Sequence, residues 1–465
     1  MMPAPTAGRR GPKTVAVLAA AALGLVDGGA HAAGFAASRF GAERGTVLAT
    51  NPTALYYNPA GLGFTPGTRL LLDGTLALRH ASWEHPAAVS DTQPPPGADG
   101  ANTGTATLTN VFGGPMLGAS TPLTDRLVVG ASFSVPFGGR ARWDENQAFA
   151  GHPDFPLAAG GVQRWHGIEG ALTFMYFSVG AALRLGRVSV GAAGNLVRSS
   201  VKTVQARTPT GFGEPDTARE GRATLDVRGV HGSFALGLMA EVLADRLWLA
   251  GSYQAQPGLG PMRLSGKLTT EYQGGASPFP VTLEQALPDV FRAGARYRPS
   301  ETLELRTAVE FWRWSFLQTQ CLGLENQGCA VTPDGKDATP EGATLQNVRR
   351  HWNDSVGLRA GASLWLSPTT ELLVGAGFET AASPDETLDP ALADANNLAG
   401  ALGVRIELSS SLAAAATYTH LHFLPRDTVG KSRLAEPEAP TKRPDGGGRY
   451  RQWIGLFNLG LELMY

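Results

Sequence analysis

The chain has 465 residues, 39 Lys+Arg against 40 Asp+Glu, and a formal net charge of −1. So even a balance excludes a nucleic-acid binder, which needs a basic excess against phosphates, and 43% hydrophobic residues exclude a disordered chain. Glycine is abundant at 59 residues, and the one apolar stretch approaching the ~20 residues of a membrane helix lies at the N-terminus, so a helical membrane bundle is excluded as well.

Arg9, Arg10 and Lys13 precede an apolar run over residues 14–25, and Ala30-His31-Ala32 follows with small-x-small spacing. This predicts a signal peptide over 1–32, export, and a mature chain opening on Ala33-Gly34-Phe35. Residues 33–67 show no strand alternation, yet carry Phe35, Phe40, Leu55, Tyr56, Tyr57, Leu62 and Phe64. An apolar piece of that length between signal and first strand is expected to sit inside a larger shell as a plug.

From residue 68 the hydrophobic period is two. Leu127, Val129, Ala131, Phe133 and Val135 alternate with Val128, Gly130, Ser132 and Ser134; Leu303, Leu305, Val309 and Phe311 alternate with Glu304, Arg306, Ala308 and Glu310. Residues 352–366 and 453–465 repeat the pattern. Alternation means a sheet with two unlike faces. Several runs reach the ~9–11 residues that cross a bilayer obliquely. Trp143, Trp165, Trp248, Trp312, Trp314, Trp352, Trp453 and Tyr465 fall near strand ends, as expected of an interfacial girdle.

Tight turns near 122–125, 186, 244–245, 299–300, 367–369 and 409–411 alternate with long polar connections near 83–107, 138–165, 204–222, 256–287, 319–350, 383–397 and 427–448. Seven long and six short connections predict an all-β fold: a 14-stranded antiparallel transmembrane β-barrel over 68–465, both ends on the periplasmic side, with the N-terminal plug in its lumen. Cys321 and Cys329 are expected to form a disulfide, as export favours.

The fourth long loop carries Leu259, Met262, Leu264 and Phe279, read either as packing residues or as a landing site for an apolar ligand. Parity sends Arg292, Arg296, Arg306, Glu310, Arg359, Glu379, Arg405, Glu407 and Glu462 into the lumen, because charges facing lipid cost ~2–4 kcal/mol at midplane. Most are expected to bridge wall and plug, and Arg292, Arg296 and Arg306 are the first candidates to hold a carboxylate. No GxSxG occurs, so a barrel enzyme is disfavoured, and His420 with His422 makes too few ligands for a metal site. Neither a metal nor a cofactor is expected.

Asn58-Pro59-Ala60-Gly61-Leu62, Ser134-Val135-Pro136-Phe137-Gly138, Leu287-Pro288-Asp289, Trp314-Ser315-Phe316 and Tyr418-Thr419-His420 occur in that order. With the strand count they make the chain resemble the outer-membrane long-chain fatty acid and hydrophobic-compound transporters of the FadL/TodX type. The resemblance implies a hatch at 33–67, including Phe35, Asn58, Pro59, Ala60, Leu62 and Phe64. It implies passive uptake of hydrophobic molecules, fatty acids first and aromatic or aliphatic hydrocarbons as the alternative, by loop capture, lumen binding and hatch-gated lateral release. Gly130, Pro136 and Gly138 on the third strand are the candidate exit. A short third outer loop departs from the family's surface groove, and a general diffusion porin is the remaining rival. Expected partners are the apolar ligand, outer-membrane lipid and lipopolysaccharide, and the barrel-assembly machinery during insertion, for a monomer that binds no nucleic acid.

A magnitude bounds the mechanism. Burying sixteen methylenes at ~0.8 kcal/mol each gains ~13 kcal/mol before ordering costs, so a rigid site that kept all of it would not release its ligand.

Overall fold

Strands form wherever apolar side chains alternate with small or polar ones, and the computed structural model of the chain, which describes residues 39–87 and 94–465, contains eighteen of them. In chain order they are β1 (Arg69–His85), β2 (Gly104–Pro122), β3 (Leu127–Arg142), β4 (Glu169–Leu185), β5 (Val188–Arg207), β6 (Gly221–Leu243), β7 (Leu247–Gln254), β8 (Met262–Tyr272), β9 (Gly275–Gln285), β10 (Val290–Tyr297), β11 (Leu303–Trp312), β12 (Thr319–Leu324), β13 (Thr344–Arg349), β14 (Ser355–Ser367), β15 (Thr370–Glu379), β16 (Asn397–Ser409), β17 (Leu412–Asp427) and β18 (Arg449–Met464). All but β8, β9, β12 and β13 pair antiparallel in a circuit of fourteen, and β18 returns to β1 from Arg69↔Met464 to Glu84↔Arg449. Closure leaves no row of unpaired backbone groups at an edge, which a bilayer requires. The predicted signal peptide and Phe35 lie outside the described residues.

The six tight turns fall at one rim and the seven long connections at the other, where the alternation placed them. Outward side chains are apolar: Val179 is 69% exposed and Leu459 68%, with Leu236 and Leu402 similar. The lumen receives glycines, serines and charges. This is a soluble sheet turned inside out, as lipid on the outside demands.

The aromatic girdle does not follow the sequence reading. Trp143, Trp165, Trp248, Trp312, Trp314 and Trp352 are buried, and only Trp453 and Tyr465 of the eight residues retain the outward placement. Position near a strand end does not decide which face a ring takes. These indoles fill the wide lumen and its lid, where arginines stack on several of them: Arg296 lies 4.2 Å from the Trp248 ring and Arg292 5.6 Å from that of Trp312.

Two long connections carry strands of their own. Residues 222–228 of β6 rise beyond the barrel and pair with β8, which pairs with β9; β9 pairs with β12, and β12 with β13. The Cys321–Cys329 disulfide staples this side sheet, with Cα atoms 6.2 Å apart. Beneath it, Phe137, Phe174, Tyr176, Val201, Leu225, Met262, Leu264, Leu283, Trp312 and Trp352 belong to one continuous apolar core, under the outer loops.

Residues 39–67 fill the lumen towards the tight-turn rim. Leu55 and Leu62 pack on Val128, Ala182, Ala193 and Ala235 from β3 to β6. Glycines on the wall let the plug approach its backbone: a Cβ at Gly237 would overlap the Asn58 amide, and one at Gly191 would overlap the peptide between Pro59 and Ala60. Asn58 is fully buried; it donates to the Val47 carbonyl at 2.9 Å and to Leu238 of β6 at 3.2 Å, while its own oxygen accepts from the Ala60 N–H. Among the described residues no helix is long and apolar enough to cross a membrane.

Candidate ligand cavity, hatch and wall opening

A cavity of about 130 Å³ lies under the outer loops, and its walls come from elements far apart in sequence. Leu172 of β4, Val201 of β5, Leu225 of β6, Leu268 of β8 and Leu283 of β9 supply apolar surface, joined by Leu322, Val348, Leu392 and Trp143. The polar lining is concentrated in Gln205, Gln320, Gln346, His166, Arg350 and Arg443. An oily chamber with a few convergent polar groups is the general form of a small-molecule site.

Two arginines occupy that polar part in different states. Arg350 is paired: its Nη1 donates to Asp389 Oδ2 at 3.0 Å and its Nε to Gln320 at 2.8 Å. Arg443 is only 2% exposed, and one nitrogen, Nη2, donates to the Trp165 carbonyl at 3.2 Å and to Gln205 at 3.3 Å. Its Nε and Nη1 have no acceptor, nor does Nε2 of Gln346. Burial lowers the Arg443 pKa to about 10, against the opposing pull of Asp389, so the guanidinium stays charged at neutral pH. His166 is driven the same way, to about 3, by burial, again opposed by Asp389, whose Oδ2 lies 4.0 Å from Nδ1. Burial resists ionisation of Asp389, yet Arg350, then His166 and Arg443, hold it below the usual carboxylate range.

The arginines singled out from the sequence lie elsewhere in the lumen. Arg292 borders a second, polar cavity of about 60 Å³ between plug and wall, with Tyr56, Tyr57, Glu310, Arg359 and Glu379. It donates to Gln254 at 3.0 Å, and its guanidinium lies 5.0 Å from the Tyr56 ring. Arg306 pairs with Glu304 two residues away on the same strand, at 2.8 Å. Of the lumen charges, Arg359 meets Glu43 of the plug at 3.8 Å, whereas Arg292–Glu310 and Arg405–Glu407 stay within the wall. Neighbours on one sheet face are simply nearer than the plug. Met262 and Leu264 are completely buried and Phe279 packs against the same core, so of the four loop residues only Leu259, 64% exposed, presents apolar surface. Arg443 and Arg350, in long connections without periodicity, gave no signal in the sequence.

One stretch of the barrel wall is irregularly paired. β2 and β3 pair from Pro122↔Val128 up to Met116↔Ser134 and then part. Higher up, the Asn110 side chain spans to the backbone of Arg142, and Thr107 meets Asp144. Between these ties run residues 111–115 of β2, paired with β1, and 135–141 of β3, a longer path on β3, which also shifts register against β4 between Ser134 and Phe137. Pro115 and Pro136 lack the N–H a ladder needs. Pro136 and Gly138 belong to this irregular stretch. Gly130 does not: it pairs regularly with Ser120 and Gly180, next to the plug. Phe137 turns inward, buried, onto Phe174, Tyr176 and Trp312 at centroid distances of 6.5, 6.0 and 6.1 Å.

A closed fourteen-stranded wall, a plug and an apolar chamber belong together in one family, and the sequence agrees: the pattern of the family described as "Outer membrane protein transport protein (OMPP1/FadL/TodX)" matches residues 17–431. The chain belongs to the FadL/TodX family. No curated protein sequence matches it. Its fold is similar to that of a Pseudomonas aeruginosa FadL homologue, with a TM-score of 0.71 at 16% identity over 94% of this chain and 99% of that one. It is also similar to the Ralstonia pickettii toluene transporter TbuX (TM-score 0.56, 15% identity, 88% and 93% covered) and the Pseudomonas putida toluene transporter TodX (0.57, 14%, 93% and 95%). Like its family, this FadL/TodX-type barrel is an outer-membrane transporter of hydrophobic compounds. The family is one of transporters and channels, not of enzymes.

Proposed function

We propose that this FadL/TodX-type protein carries long-chain fatty acids across the outer membrane and releases them sideways through the wall. Arg443 is the observation that carries this reading: a buried guanidinium at the edge of an oily chamber with two nitrogens, Nε and Nη1, lacking acceptors. An unpaired buried charge is costly, and a carboxylate that accepts from Nε or Nη1 relieves it. A neutral hydrocarbon leaves the cost in place. The alkyl tail lies on Leu172, Leu225 and Leu283, and the opening flanked by Pro115 and Pro136 lets it leave without entering water. Phe137 closes the inner mouth of that opening until the plug over 33–67 shifts. Targeting by residues 1–32, insertion by the barrel-assembly machinery and action as a monomer belong to the same reading. Nothing in this route consumes energy; flux follows the gradient.

Uptake of a labelled fatty acid by cells whose only route is this protein tests the reading. Arg443→Gln is expected to reduce it roughly 10- to 100-fold, the usual worth of a charge-assisted hydrogen bond, while toluene or a fatty-acid methyl ester enters as before. Equal loss for acid and ester, or no loss for either, overturns the assignment.

A further inference from the structure

Outward-facing cations are unevenly distributed round this barrel. On β7, β10, β11, β14, β15 and β16 no outward position holds Lys or Arg; their arginines, such as Arg292, Arg306, Arg359 and Arg405, point inward. The outer halves of β3 to β6 instead carry Arg140, Arg142, Arg198, Lys202 and Arg228 on the outside, above an apolar band that includes Phe177, Val179, Leu196 and Val230.

Register sets these cations in a grid. Arg140 stands opposite Ala171, which stands opposite Lys202. Arg228 stands opposite Ser200, so it is diagonal to both Arg198 and Lys202 on the same face. Partners are too few. Arg140 pairs with Glu169 at 2.8 Å and Arg228 approaches Asp226 at 3.5 Å; Arg142 stands opposite Glu169 and Lys202 opposite Asp226 without an ion pair within 4 Å, so two carboxylates face five cations among the described residues of the patch. Like charges one diagonal apart on a sheet repel, and a surface that keeps them together is suited to an anion lodged between. The order along each strand, apolar below and cationic above, matches a lipid whose acyl chains lie on the band and whose phosphates reach the grid.

We infer that Arg142, Arg198, Lys202 and Arg228 form a docking site for a phosphate-bearing glycolipid of the outer leaflet, the lipid anchor of lipopolysaccharide. Arg140 lies at the upper end of the irregular stretch of β3 and Arg142 directly above it, so the bound lipid stands beside that part of the wall. The inference goes beyond the transport reading and does not depend on which ligand is carried: the four cations face outward, and the patch meets the inner cavity's lining only through Glu169, the partner of Arg140.

The test uses the purified full-length protein in detergent, its folding checked by heat-modifiable migration on gels, and native mass spectrometry with added lipid A, dephosphorylated lipid A or phosphatidylglycerol. Wild type is expected to retain lipid A and to lose the dephosphorylated form. The Arg198→Glu, Lys202→Glu, Arg228→Glu combination is expected to bind lipid A roughly a hundredfold less tightly, the summed effect of three cations near an anionic leaflet. Should that variant fail to fold, the neutral Arg198→Gln, Lys202→Gln pair replaces it, with roughly tenfold weaker retention expected. Undiminished retention by either folded variant, equal retention of the dephosphorylated lipid, or equal retention of phosphatidylglycerol overturns the site.

Discussion

Arg44 of the plug and Glu371 of β15 lie 3.2 Å apart, the carboxylate almost fully buried. Arg359, on neighbouring β14, donates to the plug carbonyls of Gly45 at 3.0 Å and Ala42 at 3.2 Å. On the opposite side Asn58 donates to the Leu238 carbonyl of β6 at 3.2 Å and Ser189 of β5 donates to the Ala60 carbonyl at 2.7 Å, around the contacts of Leu55 and Leu62 with alanines and a valine, but no ion pair joins plug and wall there among the described residues. Polar bonds are directional and switch off over a short displacement, whereas apolar contacts tolerate sliding. The plug's ion pairs with the wall thus form a latch on the β14–β15 side.

Arg359→Ala is therefore expected to loosen the plug without unfolding the barrel. The change leaves Glu43 with Arg39 alone, 3.9 Å away, and removes two hydrogen bonds to plug carbonyls, a cost of about 3 kcal/mol, enough to populate a displaced plug. In planar bilayers the parent protein should be nearly silent and the variant should conduct in bursts. Deleting 33–64 should give a steadily conducting pore. A variant as silent as the parent would remove the latch, and a silent deletion would remove the plug.

Gly237 tests the other side of the seat. Its missing side chain leaves room for the Asn58 amide, so Gly237→Val is expected to expel the Asn58-Pro59-Ala60 turn from its bed on β5 and β6. Protease sensitivity of the plug should rise sharply while the barrel still inserts. Gly194, whose Cβ would meet nothing within 4 Å, is the matched control.

The barrel was legible because lipid imposes a strict rule on alternate residues, and the strand-breaking turn residues at 122–125, 186 and 409–411 marked its folds plainly. The plug was legible as apolar residues without a period. Three things were not. The side sheet of β8, β9, β12 and β13 lies in loops, where nothing forces one face to be apolar throughout. The irregular stretch of wall needs both strands to be seen together: Pro136 was visible alone, but the mismatch between residues 111–115 of β2, which keep their pairing with β1, and the longer path of β3 shows only in the folded sheet. Arg443 sits among Lys442, Pro444 and Asp445, a stretch that reads as an ordinary solvated loop, and only burial against Trp165 and Gln205 sets it apart.

Completing the wall should stop export of the ligand into the bilayer. Replacing Pro136-Phe137-Gly138 by Val-Thr, one residue shorter, removes the extra residue that shifts β3 against β4 and restores donors where proline had none. Uptake of labelled fatty acid is expected to fall to background, with the heat-modifiable folded band unchanged. Phe137→Ala alone should act in the opposite sense, opening the inner mouth and raising the uptake rate. Persisting uptake in the shortened strand would redirect the exit through the plug.

Acid should loosen the outer cap through His166. In the folded protein its pKa is about 3, depressed by burial, with Asp389 opposing and Arg443 and His85 reinforcing the shift; the Trp83 ring covers it edge-on at 5.7 Å. A base with a depressed folded pKa stays neutral while its unfolded counterpart protonates near 6.5. Between those values the opened cap binds one more proton, so stability falls as pH falls, by up to about 1.4 kcal/mol per pH unit from this residue. Limited proteolysis of the outer loops between pH 7 and 4 should show faster cleavage on acidification. His166→Asn removes the titration and should flatten that pH response, although Asn also gives up the ring contact with Trp83 and lowers the baseline. An equally steep acid response in the variant would assign the sensitivity to the carboxylates of the cap, Asp385 and Asp389, rather than to this imidazole.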